Sequence, residues 1–435
     1  MPSGERWLLR TVAVAGRRLD CRIRDGRIAE LGSGLQAADG EQVVEGSGGE
    51  LLPGLCDHHV HLRALAAARR SIDLRGGALA DRPPDAPGTG WLRVIGAGQE
   101  VRRADLDAVW PDRPVRVQHR SGALWTLNSA ALAQLRPGVT AEEQATGQFW
   151  RAGERLRRLL DRPEDVDLAA ISTELSAYGV THVTDATPDA DPAALIVAQR
   201  VLSLAGAGVG PRKIVLADHE PPDLDRLIAA IRTARDAGRG VAVHAVTRVA
   251  LAVALAALTE AGSGPADRIE HAAVCDDDGA RRLAELGVAV VTQPTLLARH
   301  GRRYVAESEP DDRPLLWRYA GLLRLGVRVA VSSDAPYGDP NPWTTVAAAA
   351  RRECDGVVFD GDERVHPAVA LASMLADPAD PGGPARTVHV GAPADLCLLS
   401  TDLATALETA VAGRTPVVRL TLVGGRATHV GAVGG

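Results

Sequence analysis

Four imidazoles and one carboxylate stand near the ends of short apolar segments that lie far apart in the chain. They are His59 and His61 in LLPGLCDHHVHL, His244 in VAVHAV, His271 in DRIEHA and Asp334 in VRVAVSSDAP. Imidazole nitrogens and a carboxylate oxygen are the donors that Zn²⁺ and related divalent ions take. His59 and His61 are two apart, and residues two apart on a strand share a face, so both rings can turn to one ion. Any one such His is more often structural or solvated than a ligand. Five donors at corresponding places on four segments make a common metal site the better reading.

A second signal is compositional. Of 49 basic residues, 48 are Arg and one, Lys213 in RKIVLAD, is Lys. Lys can lose its proton and act as a nucleophile, whereas Arg stays protonated. The competing reading is a surface Lys or a plain cationic contact.

Positioning these residues requires strands that alternate with helices. A chain of 435 residues suits a barrel of about 250–350 residues plus a second module. The strand segments are LLPGLCDHHVHL, PVRVQH, VTHVTDAT, RKIVLAD, VAVHAV, DRIEHA, VAVVTQP and VRVAVSSDAP. Helical patterns lie between them: DLAAISTELSAYG, DLDRLIAAIRTARDAG, VALAVALAALTEAG, DDDGARRLAELG and RPLLWRYAGLLRLG. Several end in Gly, as helix C-termini often do. Eight strand–helix units predict an α/β fold, a (β/α)₈ TIM barrel over residues 53–385, with the site at the C-terminal ends of its strands. WLRVIGAG at 91–98 is placed in an excursion between the first and second strands, and 64–90 and 136–166 are read as loops or insertions. Residues 1–52 and 386–435 are β-rich, with Asp25–Gly26 marking a hairpin. Together they predict one small β-sandwich built from both ends.

Several function classes recede. The net charge is −6 and basic residues form no tract, so nucleic acid is not an expected partner. No apolar run of about 18 residues spans a membrane. The first residues lack the signal-peptide pattern, so a cytoplasmic location is expected. The five cysteines are scattered without a CxxC pair and are read as reduced, buried thiols. A small-molecule substrate is the expected partner, and homo-oligomerisation is left open.

LLPGLCDHHVHL resembles the PG-x-x-D-x-H-x-H opening of the amidohydrolase superfamily, and VAVHAV, RIEHA and SSDAP resemble its fifth, sixth and eighth strand signatures. LWTLNSAAL, VTHVTDATP and RKIVLAD are similar to the family 3 branch, that of the N-substituted formamide deformylase-like metal-dependent hydrolases. The resemblance runs over nearly the whole chain. It implies that His59 and His61 bind a first, buried metal, and that His244 and His271 bind a second. Asp334 would contact the first metal and serve as general base. Lys213 would be the fourth-strand ligand, carboxylated by CO₂ so that its two carbamate oxygens bridge the ions; Arg cannot form that group. One or two Zn²⁺ ions are expected, with Fe²⁺, Mn²⁺ or Co²⁺ as alternatives.

The implied activity is hydrolysis of a C–N bond in an amide, formamide or cyclic amide, other than a peptide bond. Asp334 would take a proton from the attacking water and return it to the leaving nitrogen. A metal-assisted isomerase, lyase or ester hydrolase stays open on the same fold, as does a catalytically silent metal-binding protein. Substrate contacts are expected from His119, Asp218, His219, Gln293 and Tyr337, with Arg299 and Tyr304 nearby. Asp57 is read as orienting a ligand or loop, Asp185 as standing behind the ligands, and His58 as turned away. Relatives of this branch often carry a His shortly before the LNS-like segment. Here that place holds Ala123, and His119 is offset by four.

Overall fold

Runs of Val, Ile, Leu and Ala without polar alternation suit parallel strands covered on both faces, as in Ala289–Thr292 and Val329–Val331, which are buried throughout. Eight strands joined in parallel belong to the larger of two units. They are β1 (Leu55–Val60), β2 (Val180–Asp185), β3 (Arg200–Ser203), β4 (Arg212–Val215), β5 (Val241–Ala245), β6 (Arg268–His271), β7 (Ala289–Thr292) and β8 (Val329–Val331). The computed structural model describes residues 5–74, 90–98, 100–119, 124–135, 137–160, 166–216 and 221–431. The larger unit comprises Met1–Leu62 and Leu168–Gly435, and the smaller is Arg63–Asp167.

The eight strands form two parallel ladders, β3-β2-β1 and β4-β5-β6-β7-β8. Backbone hydrogen bonds join the ladders at both ends. On one side Lys213 N–H donates to Leu204 O, just past β3, at 2.9 Å. On the other, Asp334 N–H donates to His59 O at 2.8 Å and His61 N–H to Ala335 O at 2.9 Å, around a parallel bridge between Val60 and Ala335. The C-terminal ends of β1 and β8, with His59, His61 and Asp334, are thereby tied together.

The helices that follow the strands start where the sequence offers caps. Asp223, Thr247 and Asp276 accept the N–H of Arg226, Ala250 and Gly279 at the starts of Leu224–Asp236, Arg248–Ala261 and Asp277–Leu286. Gly287 ends the last of these at φ 65°, in the left-handed region that favours glycine.

Three sequence-based expectations need correction. PVRVQH is not the second central strand: Val115–His119 belongs to a separate sheet of the smaller unit, and β1 pairs directly with Val180–Asp185. The third strand is Arg200–Ser203, whose four residues are too short to show a pattern; RKIV remains fourth because one miscount cancels the other. RPLLWRYAGLLRLG is not one helix. It is a 3-10 turn at Arg313–Leu315 and a short helix at Ala320–Arg324. Between them Leu316 pairs antiparallel with Val274, and Trp317, at φ 50°, donates its N–H to Ala273 O at 2.8 Å. Tertiary pairing overrides helical propensity there.

The two chain ends each supply a four-stranded sheet. One consists of Trp7–Val14, Arg17–Arg24, Arg27–Gly32 and Gln42–Glu45; the other of Leu51–Pro53, Leu396–Leu399, Val418–Val423 and Arg426–Val430. Asp25 and Gly26, at φ 50° and 72°, make the expected tight hairpin. Trp7, Leu9, Ile23 and Ile28 of the first sheet and Leu51, Leu396, Leu398 and Leu420 of the second share one buried cluster.

The smaller unit holds a five-stranded sheet in the order Gln148–Trp150, Leu124–Leu127, Val115–His119, Leu92–Ala97, Ile72–Asp73. Asn128 of the LNS segment is structural here. Its Oδ1 accepts from Val115 N–H and Ala131 N–H, and its Nδ2 donates to Trp110 O and Arg113 O. All five cysteines are free and buried. Among the described residues no helix is long and apolar enough to cross a membrane.

Gly54 enters β1 where a Cβ would lie 2.1 Å from Thr181 Cγ2, and Thr181 is fully buried. Gly54→Ala is expected to destabilise by about 1–3 kcal/mol through overpacking. Gly206→Ala, where a Cβ meets nothing within 4 Å, is expected to change little. Denaturant unfolding of the two variants checks the contrast.

Candidate metal centre

His59 is the last but one residue of β1 and His61 follows that strand by one; β5 contributes His244 and β6 ends in His271. The ring centroids of His59 lie 5.4 Å from His61 and 5.0 Å from His271, and His271 lies 4.5 Å from His244. Asp334 follows β8 by three residues, with Oδ1 3.5 Å from His59 Nε2 and 3.4 Å from His61 Nε2. Lys213 Nζ reaches His59 Nε2 at 3.5 Å from a deeper position, paired with Ala242 rather than with His244. All six expected ligands therefore belong to one neighbourhood. Donor atoms of His59, His271 and Asp334 lie within 4.8 Å of one another.

Two of these residues leave regular strand geometry. His271 has φ 75° and Asp334 φ 52°, a left-handed backbone that costs of order 1–3 kcal/mol when a non-glycine residue adopts it. The departure lets Glu270 and His271, neighbours in sequence, both serve this centre. Asp334 is held in place by its own N–H bond to His59 O and by Tyr337 N–H, which donates to Asp334 O at 2.9 Å.

The far sides of the imidazoles explain the near sides. His59 Nδ1 donates to the Glu270 carboxylate, which is acceptor-only when ionised. His271 Nδ1 donates to Gln293 Oε1 at 2.7 Å, because Gln293 Nε2 is committed to Val291 O and Ser332 Oγ, both at 3.0 Å. His61 Nδ1 pairs with Thr187 Oγ1 at 2.9 Å. In His59 and His271 the Nδ1 proton leaves an unprotonated Nε2, the form that binds metals. Asp334 Oδ1 is buried with no hydrogen-bond partner. The Nε2 lone pairs of His59 and His271 thus converge with a carboxylate oxygen of Asp334, an arrangement a cation satisfies. Two donors on one ion, with bonds of about 2.1 Å at the tetrahedral angle, lie about 3.4 Å apart, close to the two Nε2–Oδ1 separations.

Electrostatics agree with this reading. Burial, and then the nearby Lys213, pushes His59 and His244 down to about 4. Burial likewise holds His271 well below the usual imidazole range. Burial alone would raise Asp334, but His59, His271 and His61 hold it below the usual carboxylate range. Burial lowers Lys213 against the opposing pull of Glu270 and Asp334, which favours the neutral amine.

The neighbours divide clearly. Asp57 joins β1 to the residues after β8. Its Oδ1 accepts from His59 N–H at 3.2 Å and Ser333 N–H at 3.1 Å, and its Oδ2 from Ser333 Oγ. Burial pushes it up to about 6 although these bonds pull it down. Asp185 accepts from Leu62 N–H and Thr187 N–H, placing the Thr187 that meets His61. His58 points away to Ser373 O at 2.9 Å. Gln293 was expected to touch substrate, yet it is fully buried and its amide is spent on His271 and its own surroundings. Tyr337 is 58% exposed, its ring 6.1 Å from His61. Arg299 donates to Tyr337 O at 3.4 Å, and Tyr304 packs on Trp317 at 5.9 Å. His119 lies on a strand of the smaller unit, and Asp218 and His219 lie outside the described residues. Sequence reasoning passed over Glu270, Arg268, Thr187 and Ser333. An Arg and a Glu two apart in the apolar stretch RIEH were the available sign of a buried pair.

The class follows from a parallel α/β fold with this donor set. Residues 42–429 match the model of the amidohydrolase family, and the chain belongs to that family. Among its relatives, N-substituted formamide deformylase of Arthrobacter pascens is 23% identical, over 87% of this chain and 89% of that protein. Imidazolonepropionase of Ectopseudomonas mendocina is 28% identical over 86% and 85%. The fold is similar to that of an uncharacterized metal-dependent hydrolase from Pyrococcus horikoshii OT3. The TM-score is 0.75 at 20% identity, covering 92% of this chain and 98% of that one.

The imidazole values carry a pH prediction for metal-free protein. Unfolded imidazoles take up protons near 6.5, whereas folded His59 and His244 resist protonation until about 4. The unfolded state then binds more protons in that window, so stability should fall as pH drops from about 6.5 to about 4. His244→Asn should lessen the slope; equal slopes in denaturant titrations of parent and variant would contradict the assignment.

Proposed function

We propose that this protein is a metal-dependent hydrolase that cleaves a C–N bond in an amide, formamide or cyclic amide. The observation that carries the reading is the buried, partnerless Oδ1 of Asp334 facing the Nε2 atoms of His59 and His61. The two ladders, joined through Leu204–Lys213 and His59–Asp334, support a closed (β/α)₈ barrel with the centre at its C-terminal rim. The shared core of the terminal sheets supports a small β-sandwich.

His59, His61 and Asp334 would hold one ion, and His244 and His271 a second. The His-rich set favours Zn²⁺. A divalent cation there supplies Lewis acidity toward a carbonyl and lowers the pKa of water. Asp334 is ionised at the outset, so it can accept a proton from the attacking water. Holding that proton, it can deliver it to the leaving nitrogen, which a histidine already committed through both nitrogens could not do. Tyr337, exposed beside His61, is placed to touch substrate. Lys213, buried and with its amine held toward neutrality, suits carboxylation by CO₂ to a carbamate; a guanidinium there could not react in this way.

Chelation should abolish hydrolysis of amides or formamides, and Zn²⁺ should restore it. Asp334→Asn should lower kcat by about 10²–10⁴-fold with the fold retained by circular dichroism. A panel that includes esters decides the bond: faster turnover of esters than of every amide would refute the proposal. Separately, ¹³C NMR of protein equilibrated with ¹³C-bicarbonate should show a carbamate signal that Lys213→Arg removes.

A further inference from the structure

Behind His59 the larger unit buries two opposite charges that no step of hydrolysis uses. Arg268 and Glu270 are both on β6, two residues apart and on one face, with side chains 1% and 0% exposed. Arg268 Nη2 donates to Glu270 Oε2 at 3.0 Å and to His58 O at 2.6 Å, and Arg268 Nε donates to Glu270 Oε1. Glu270 Oε2 also accepts from His59 Nδ1. A linear chain results: guanidinium, carboxylate, imidazole, and then the Nε2 that faces Asp334 Oδ1 and Lys213 Nζ.

Burying such a pair is a poor way to gain stability, because desolvation cancels much of the attraction. The pair stands instead where charge has leverage on a ligand. A carboxylate behind a ligating imidazole fixes its tautomer and orientation and increases electron density at the other nitrogen. Arg268 keeps that carboxylate ionised and oriented, and its bond to His58 O anchors the same strand that carries His59. The acid precedes His271 directly, so a single strand supplies one ligand and the group that aims another.

We propose that Glu270, set by Arg268, is a positioning residue that tunes the metal affinity of His59 from behind. This rests on the metal centre proposed above. It separates the roles of β6: His271 donates to an ion, and Glu270 strengthens a donor on β1.

The test measures Zn²⁺ affinity of metal-free protein by competition with a chromophoric chelator. Glu270→Gln keeps an acceptor but removes the charge, and the double variant Arg268→Met with Glu270→Gln removes both buried charges. Both should bind Zn²⁺ about 10–100-fold more weakly, while the double variant keeps the unfolding midpoint of metal-free parent. A purely structural pair would lower the midpoint and leave the affinity unchanged, which overturns the proposal. Should the variants not fold, ¹⁵N–¹H NMR of the histidine rings of metal-free parent decides. The signal lost in His59→Asn must be an Nδ1–H; an Nε2–H overturns the proposal. A parent that takes up no Zn²⁺ at all rejects the metal centre itself, a separate outcome.

Discussion

Three imidazoles that hold their Nδ1 atoms outward set the terms for everything around them. Glu270, Thr187 and Gln293 each fix one ring from behind. In the two cases where the partner must accept, the proton is settled and the opposite nitrogen is left bare. The centre is therefore organised by residues that never touch its interior. The ends of β1 and β6 and the residues after β8 meet there, and left-handed turns at His271 and Asp334 make the last adjustment. A displaced hydrogen bond on the outside would swing a nitrogen on the inside.

Much of the fold was legible because parallel strands advertise themselves. Burial on both faces leaves short unbroken apolar runs, and the intervening helices carry Asp or Thr at one end and Gly at the other. Failures arose where pattern length ran out. Arg200–Ser203 has four residues and is defined by its neighbours' hydrogen bonds more than by its side chains. Val115–His119 looks like any other central strand, and nothing local says which sheet it will join. The segment around Trp317 has helical spacing, but Ala273 and Val274 claim its backbone.

The candidate donors stood out for a related reason. A polar residue at the end of an apolar strand is unusual, and repetition across strands singles it out. Their supports were harder to see. Gln293 has the chemistry of a substrate contact and the location of a brace, a distinction made only by burial and by which amide atom faces His271. Glu270 sits beside a conspicuous histidine and was overshadowed by it. Pairings across more than 200 positions, such as His59 with Glu270 or Asp57 with Ser333, have no local sequence mark.

Lys213 has a consequence beyond its place near His59. It is the chain's single lysine, and it is buried. Outside the centre, every basic side chain other than histidine is a guanidinium, so alkaline solutions leave the positive charges of the exterior unchanged. Amine-directed reagents, whether acylating agents, reducing sugars or cross-linkers, find no lysine target on the outer surface. The side-chain amine that remains for them lies beside the histidines, where modification would strike the chemistry itself before it altered the coat.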